Sequence, residues 1–296
     1  MGALGVVERS TGYLQGGYKD ATIHSKIQLF NTTNQTGAIV YDTGYQRYYQ
    51  AGISVNYAGY FSISTAAAYN KFNYITVSAS ASFTTTRQPN VSACNWGIMT
   101  KAWVLCTTDA TITSIGDSIE EWVAIDLSTD TPTSLGSLST DPEGTTRQGL
   151  STGLASFFVN TATTQLTAFN HTTQTVATSD ATFGEFDTTI QIPCGMSVSD
   201  SKGYIVGMSP RNVKVTVSGS TVMSVALATA YTYNFGESHS VTSSTNGFMM
   251  AGYIDTTGRY GSQHALCQTI SLATEAITTL PDLVLAQSSG QMMQGF

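Results

Sequence analysis

Ser10-Thr-Gly-Tyr-Leu-Gln-Gly-Gly-Tyr18 is a small polar pair, a glycine, and then a short apolar strand that ends on glycine. The stretch returns along the chain. Its closest copies are Asp200-Ser-Lys-Gly-Tyr-Ile-Val-Gly-Met208 and Ser244-Thr-Asn-Gly-Phe-Met-Met-Ala-Gly-Tyr253. Weaker ones are Asn56-Tyr-Ala-Gly-Tyr-Phe-Ser62, Ser151-Thr-Gly-Leu-Ala-Ser-Phe157 and Ser288-Ser-Gly-Gln-Met-Met-Gln-Gly-Phe296. A degraded copy falls at Gly97 or at Lys101-Ala-Trp-Val104. Units therefore start near residues 12, 59, 97–101, 153, 203 and 247, with a partial unit from 290, all within one domain, 1–296. Steps of about 42 to 52 residues signal a propeller or solenoid made of one supersecondary unit per repeat.

Other echoes keep the same period. The turn Phe30-Asn-Thr-Thr-Asn-Gln-Thr36 is matched by Phe169-Asn-His-Thr-Thr-Gln-Thr175, and Ile125-Asp-Leu-Ser-Thr-Asp130 by Ile270-Ser-Leu-Ala-Thr-Glu275. Phe183-Gly-Glu185 and Phe235-Gly-Glu237 close two successive units. Within units the apolar residues alternate, as with Val213, Val215 and Val217, and Gly219-Ser220 follows as a tight hairpin return. No window carries a 3.6-residue apolar period, so helix is expected to be nearly absent.

A four-strand meander of this length is what a propeller blade requires. The expectation is an all-β chain, a β-propeller of six to seven four-stranded blades. The anchor glycines are expected to supply a positive φ at the turn from the inner strand. Met249, Met250, Met292 and Met293 read as packing between blades. Ala3 to Ser10 can serve as the inner strand of unit one. On that reading the tail, 283–296, either begins a seventh blade that is left incomplete or leaves the ring to pair with a neighbour.

Only 10% of the residues are charged, against roughly a quarter in an ordinary soluble domain, so hydroxyls and amides must dress the surface. A net charge of −7 with 12 thinly spread basic residues offers no footprint for a phosphate backbone, which excludes nucleic acid. The N-terminus has no basic leader with a long apolar core, and the most apolar run, near Val222 to Ala230, is too short to span a bilayer. The chain reads as soluble, without an evident signal peptide.

Candidate chemistry is sparse. Cys94, Cys106, Cys194 and Cys267 lack zinc-type spacing and read as small buried hydrophobes, with a Cys94–Cys106 bridge left open. His24, His171, His239 and His264 stand far apart, and Glu120-Glu121 lead a strand and point to opposite faces. Glu185 and Glu237 repeat at blade corners, where they end polar loops or form acceptors for a cation or sugar. Tyr41 to Tyr49, with Arg47, offers aromatics for stacking, although Tyr48 and Tyr49 read better as the start of the next inner strand. Ser139-Thr-Asp-Pro-Glu-Gly144 is a turn rather than an aspartate box. No phosphate loop or nucleophile elbow is present. No catalytic, cofactor or metal residue is assigned.

With its glycine pairs and repeated turns the chain resembles the kelch family of propellers, Gly16-Gly17 being the one true double glycine. Through Phe183-Gly184 and Phe235-Gly236 it also resembles kelch-like repeat proteins of tailed-bacteriophage virions. The first resemblance includes a copper oxidase, whose paired Tyr, Cys and His ligands no motif here supplies. The second implies a non-enzymatic structural protein of a virion, in the tail, neck or capsid surface, oligomeric in the particle. Its implied partners are other virion proteins, met through 283–296, and a host-surface glycan. An adhesin or lectin, or a propeller enzyme with a loop-borne site, are the alternatives.

Overall fold

The computed structural model describes residues 11–16, 18–19, 22–45, 52–55, 58–63, 68–85, 101–107, 119–136, 146–147, 150–160, 165–182, 194–199, 201–206, 213–227, 235–236, 239–250, 253–254, 265–284 and 291–295. Among them there is no helix. Most of the described strands form six successive antiparallel sheets, each a meander in chain order apart from one strand, and Tyr18–Lys19 pairs with Thr22–Ile23 as a short ribbon.

Sheet I orders Gln291–Gly295, Thr11–Gln15, Lys26–Asn31 and Thr36–Asp42. Sheet II orders Gly52–Val55, Ala58–Ile63, Ala68–Asn73 and Ser78–Thr84. Sheet III has Lys101–Thr107, Ile119–Asp126 and Thr131–Gly136, and sheet IV has Thr146–Arg147, Ala155–Asn160, Gln165–Asn170 and Val176–Thr182. Sheet V runs Cys194–Ser199, Lys202–Val206, Val213–Ser218 and Thr221–Leu227, and sheet VI runs His239–Thr242, Asn246–Met250, Cys267–Ser271 and Ile277–Leu280. Phe235–Gly236 pairs with Tyr253–Ile254 as a small separate ribbon.

The tail corrects the sequence reading. Gln291–Gly295 starts no seventh sheet: it pairs antiparallel with Thr11–Gln15, from Thr11 opposite Gly295 to Gln15 opposite Gln291. The other edge of Thr11–Gln15 is taken by Lys26–Asn31, so the inner-strand place given to Ala3–Ser10 belongs to the tail. Residues 3–10 lie outside the described ones. The physical reason is that a strand has two edges, and the chain's last apolar strand has the length and pattern to satisfy the one left open.

Apolar side chains pack between sheets, because an alternating strand buried on both sides puts each face against a different neighbour. Met249 and Met250 show the rule: both are fully buried, Met249 beside Met196 and Tyr204 of sheet V, Met250 beside Leu14 and Phe30 of sheet I. The sequence reading of these two methionines is borne out, while the side chains of Met292 and Met293 lie outside the described ones. Tyr60, Tyr69 and Phe83 of sheet II pack with Ala102, Val123 and Ile125 of sheet III. Phe157 and Leu166 of sheet IV meet Ile205 and Val215 of sheet V, and Tyr13 and Ile27 of sheet I meet Phe61 and Phe72 of sheet II. Sheets III and IV join through Trp122, stacked on Phe169 at 4.0 Å with ring planes 11° apart. The series of contacts thus runs from I to VI and returns to I. Gln291–Gly295 itself lies against both Gly52–Val55 and His239–Thr242. Each fully buried aromatic contributes about 1.5–3 kcal/mol.

Register explains the repeated stretch. Gly12 faces Phe30, Gly59 faces Phe72, Ala102 faces Ile125, Ser156 faces Phe169, Gly203 faces Val215 and Gly247 faces Ile270. The next residue is aromatic in all six sheets: Tyr13, Tyr60, Trp103, Phe157, Tyr204 and Phe248, every one buried. Two expectations change here. In units three and four the anchor place is held by Ala102 and Ser156, whereas Gly153 belongs to the preceding turn and Gly97 lies outside the described residues. The anchors also do not use a positive φ, which among the described glycines belongs to Gly16, Gly44, Gly136 and Gly219. They are small because neighbouring atoms come close: a Cβ on Gly203 would sit 2.9 Å from Leu150 Cδ2 beside sheet IV and 2.8 Å from the Met196 carbonyl oxygen of its own sheet, and one on Gly247 2.0 Å from Met196 Sδ of sheet V.

Candidate functional site

The described polar chemistry gathers at the sheet ends that carry the turns between the last two strands of each sheet. In five sheets this turn opens on Asn31, Asn73, Asp126, Asn170 or Ser271, whose side-chain oxygen accepts backbone N–H bonds from the residues that follow. Short side-chain oxygens close such turns readily. The turn ends on a residue forced into positive φ: Gln35, Val77, Asp130, Gln174 or Glu275. Sheet V instead uses Gly219, φ 61°, in the two-residue return that the sequence indicated.

Two of these residues reach across to the preceding sheet. Asp130 Oδ1 accepts from the Tyr60 hydroxyl at 2.8 Å, with Lys71 Nζ at 3.5 Å. Glu275 Oε1 accepts from Lys214 Nζ at 2.6 Å and from the Tyr204 hydroxyl at 3.1 Å. In both sheets the tyrosine and lysine are cross-strand partners, Tyr60 with Lys71 and Tyr204 with Lys214. Lys214 holds the Glu275 carboxyl below the usual carboxylate range, while burial and the Glu275 charge push the Tyr204 phenol up. Lys202 adds its ammonium 5.2 Å from the Tyr204 ring centre.

A third grouping is buried. His171 Nε2 is 2.9 Å from Ser156 Oγ, which accepts from Ser151 Oγ at 2.9 Å, and His171 Nδ1 faces the Gly153 carbonyl at 3.4 Å. The imidazole stacks on Trp103 of sheet III at 4.4 Å, planes 10° apart. Burial lowers its pKa from 6.5 to about 4, so the ring is neutral near pH 7. A serine beside a histidine is the start of a nucleophile–base pair. Here the hydroxyl and imidazole are sealed between two sheets, and the described surroundings give the imidazole a carbonyl where a triad has a carboxylate. Ser156 and His171 are both buried, and the arrangement can carry a proton change.

The remaining candidates scatter. Cys267 is buried in the seam between sheets VI and I, its thiol pushed up to about 12 by burial, in keeping with a packing role. Cys106, Cys194, Glu120, Glu121 and His239 lie on strands, with their side chains outside the described ones. Cys94, Glu185, Glu237, His264, Arg47, Tyr48, Tyr49 and 139–144 lie outside the described residues. His24 is half-buried between Thr22–Ile23 and Lys26–Asn31. Among the described residues no three His, Cys, Asp or Glu come together as a metal site. Sequence reasoning missed the Tyr–Lys–acid groups, whose signal was the repeated turn that ends in Asp130 and Glu275.

No family model and no curated protein matches the chain. Among solved structures it is similar to a fungal alcohol oxidase of the AA5 family in complex with copper: TM-score 0.59, 10% identity, 95% of this chain and 66% of that one covered. The likeness is one of fold. The described residues offer no set that fits a copper ion, since both His171 nitrogens are engaged and Cys267 is enclosed by apolar side chains.

Proposed function

We propose that the six sheets form a six-bladed β-propeller closed by the last strand. On this reading the chain is a non-enzymatic structural component of a tailed-phage particle, a stiff platform in the tail, neck or capsid surface. The observation that carries the reading is the pairing of Gln291–Gly295 with Thr11–Gln15, which ties the end of the chain to its beginning. Closure covers the open edge of Thr11–Gln15 and makes each seam depend on the others, which suits a part that must hold its shape under load. Hydroxyls do work that charges do elsewhere: Thr242 Oγ1 and Ser240 Oγ of sheet VI donate to the Ser197 and Gly195 carbonyls of sheet V at 2.9 and 2.6 Å. Such bonds are insensitive to salt, unlike surface ion pairs.

The test is co-sedimentation of the chain with purified particles through a high-salt wash. Retention in stoichiometric amount is expected; recovery only in the supernatant contradicts the reading. An oxidase is the second reading, favoured by the fold likeness alone. Copper bound at one equivalent, together with peroxide formed from an alcohol and oxygen, would establish it in place of the first.

A further inference from the structure

We propose that the seam between sheets III and IV is an acid-labile latch, in which protonation of His171 breaks its stack on Trp103 and loosens this interface ahead of the other five. His171 holds the second position of the turn that opens on Asn170. The same position carries Thr32, Tyr74, Leu127 and Leu272 in sheets I, II, III and VI, none of which gains a proton between neutrality and pH 4. The latch is therefore particular to one seam.

The hydrogen bonds around the ring have a single consistent direction. Ser151 donates to Ser156, Ser156 donates to Nε2, and Nδ1–H points at the Gly153 carbonyl. A proton added at Nε2 turns that acceptor into a donor, so the Ser156 hydroxyl must turn its hydrogen away from the ring while its oxygen accepts from Nε2–H.

Among the described residues no charged group is bonded to the imidazole, and the charges of sheet IV, Arg147 and Asp180, stand on its two outer strands. Ala155–Asn160, Gln165–Asn170 and the Leu150–Leu154 turn carry no charged residue. On the facing strands of sheet III the titratable residues are Lys101, Cys106, Glu120, Glu121 and Asp126; Lys101 and Asp126 stand directly opposite and interact with each other. Burial is accordingly the main influence on the imidazole, and no charge contributes. An imidazolium between Trp103 and two serines is stabilised by moving toward water, which takes the ring off Trp103 and out of the seam. The product is a platform that is stiff at neutral pH and opens at one seam in acid.

The test uses the full chain. Amide exchange is measured at pH 7 and pH 4, corrected for the intrinsic pH dependence. Protection in 101–107, 119–126 and 165–174 should fall at least tenfold more than in 58–63 and 246–250, and the His171→Gln variant should lose this difference. Equal losses in all sheets, or the same regional loss in His171→Gln, would overturn the latch. Should that variant fail to fold, the His171 imidazole is titrated by NMR in the unaltered chain: a midpoint near 4 accompanied by broadening of the Trp103 indole supports it, and a midpoint near 6.5 refutes it.

Discussion

The phenol of Tyr60 donates to the carboxylate of Asp130 at 2.8 Å, tying sheet II to sheet III. Three sheets later Tyr204 and Glu275 tie V to VI in the same way. Other features recur at this spacing. The Asn31–Gln35 and Asn170–Gln174 turns belong to sheets I and IV, and Leu127 and Leu272 hold one position in the turns of III and VI. The chain reads as two successive three-sheet halves, with the seam between the second and third sheet of each half fastened by corresponding side chains.

The Tyr204–Lys214–Glu275 fastening should be measurable as a coupling. Lys214 is about a third exposed, so solvent screening limits the pair to about 0.5–1 kcal/mol. A double-mutant cycle of Lys214→Met and Glu275→Gln in urea unfolding should return that value at low salt and less at high salt. The folded-state pKa of Glu275 is depressed below 4.5, so its contribution is complete above that pH and is lost as pH falls through the folded value.

Gly203→Ala should destabilise the chain by about 1–3 kcal/mol, since the added Cβ meets a backbone oxygen that cannot step aside. Gly37→Ala is the comparison: its Cβ would lie 3.3 Å from the Leu283 side chain, which can move, and should cost less. Thermal unfolding of the two variants decides the order.

Val77→Asn should raise stability by about 1 kcal/mol. Val77 is a β-branched residue held at φ 50° on an exposed turn, a conformation Asn adopts with much less strain. Chemical denaturation of the variant against the unaltered chain measures the gain.

Much of the fold was legible because sheet packing writes a period into the sequence. The small-then-aromatic pair had to recur, since every sheet meets a neighbour at that point. Strand alternation at Val213, Val215 and Val217 and the Gly219-Ser220 return were equally direct. What misled was assigning the anchor glycines to a backbone conformation: a glycine needed for close approach and one needed for positive φ look alike in a sequence. Ser156 was passed over because Ser151-Thr-Gly153 looked the better match, yet register puts Gly153 in the turn. The fate of the tail was open because pairing between residues about 280 apart leaves no local signal. The Tyr–Lys–acid fastenings were hidden for the same reason, each being assembled from two sheets.

The account turns on the closure of sheet I by the last strand, and amide exchange of the 291–295 segment tests it most directly. Protection equal to that of Thr11–Gln15, lost together with it in one transition, is the predicted result. Exchange of 291–295 at the rate of an unstructured peptide, while Thr11–Gln15 stays protected, would contradict it.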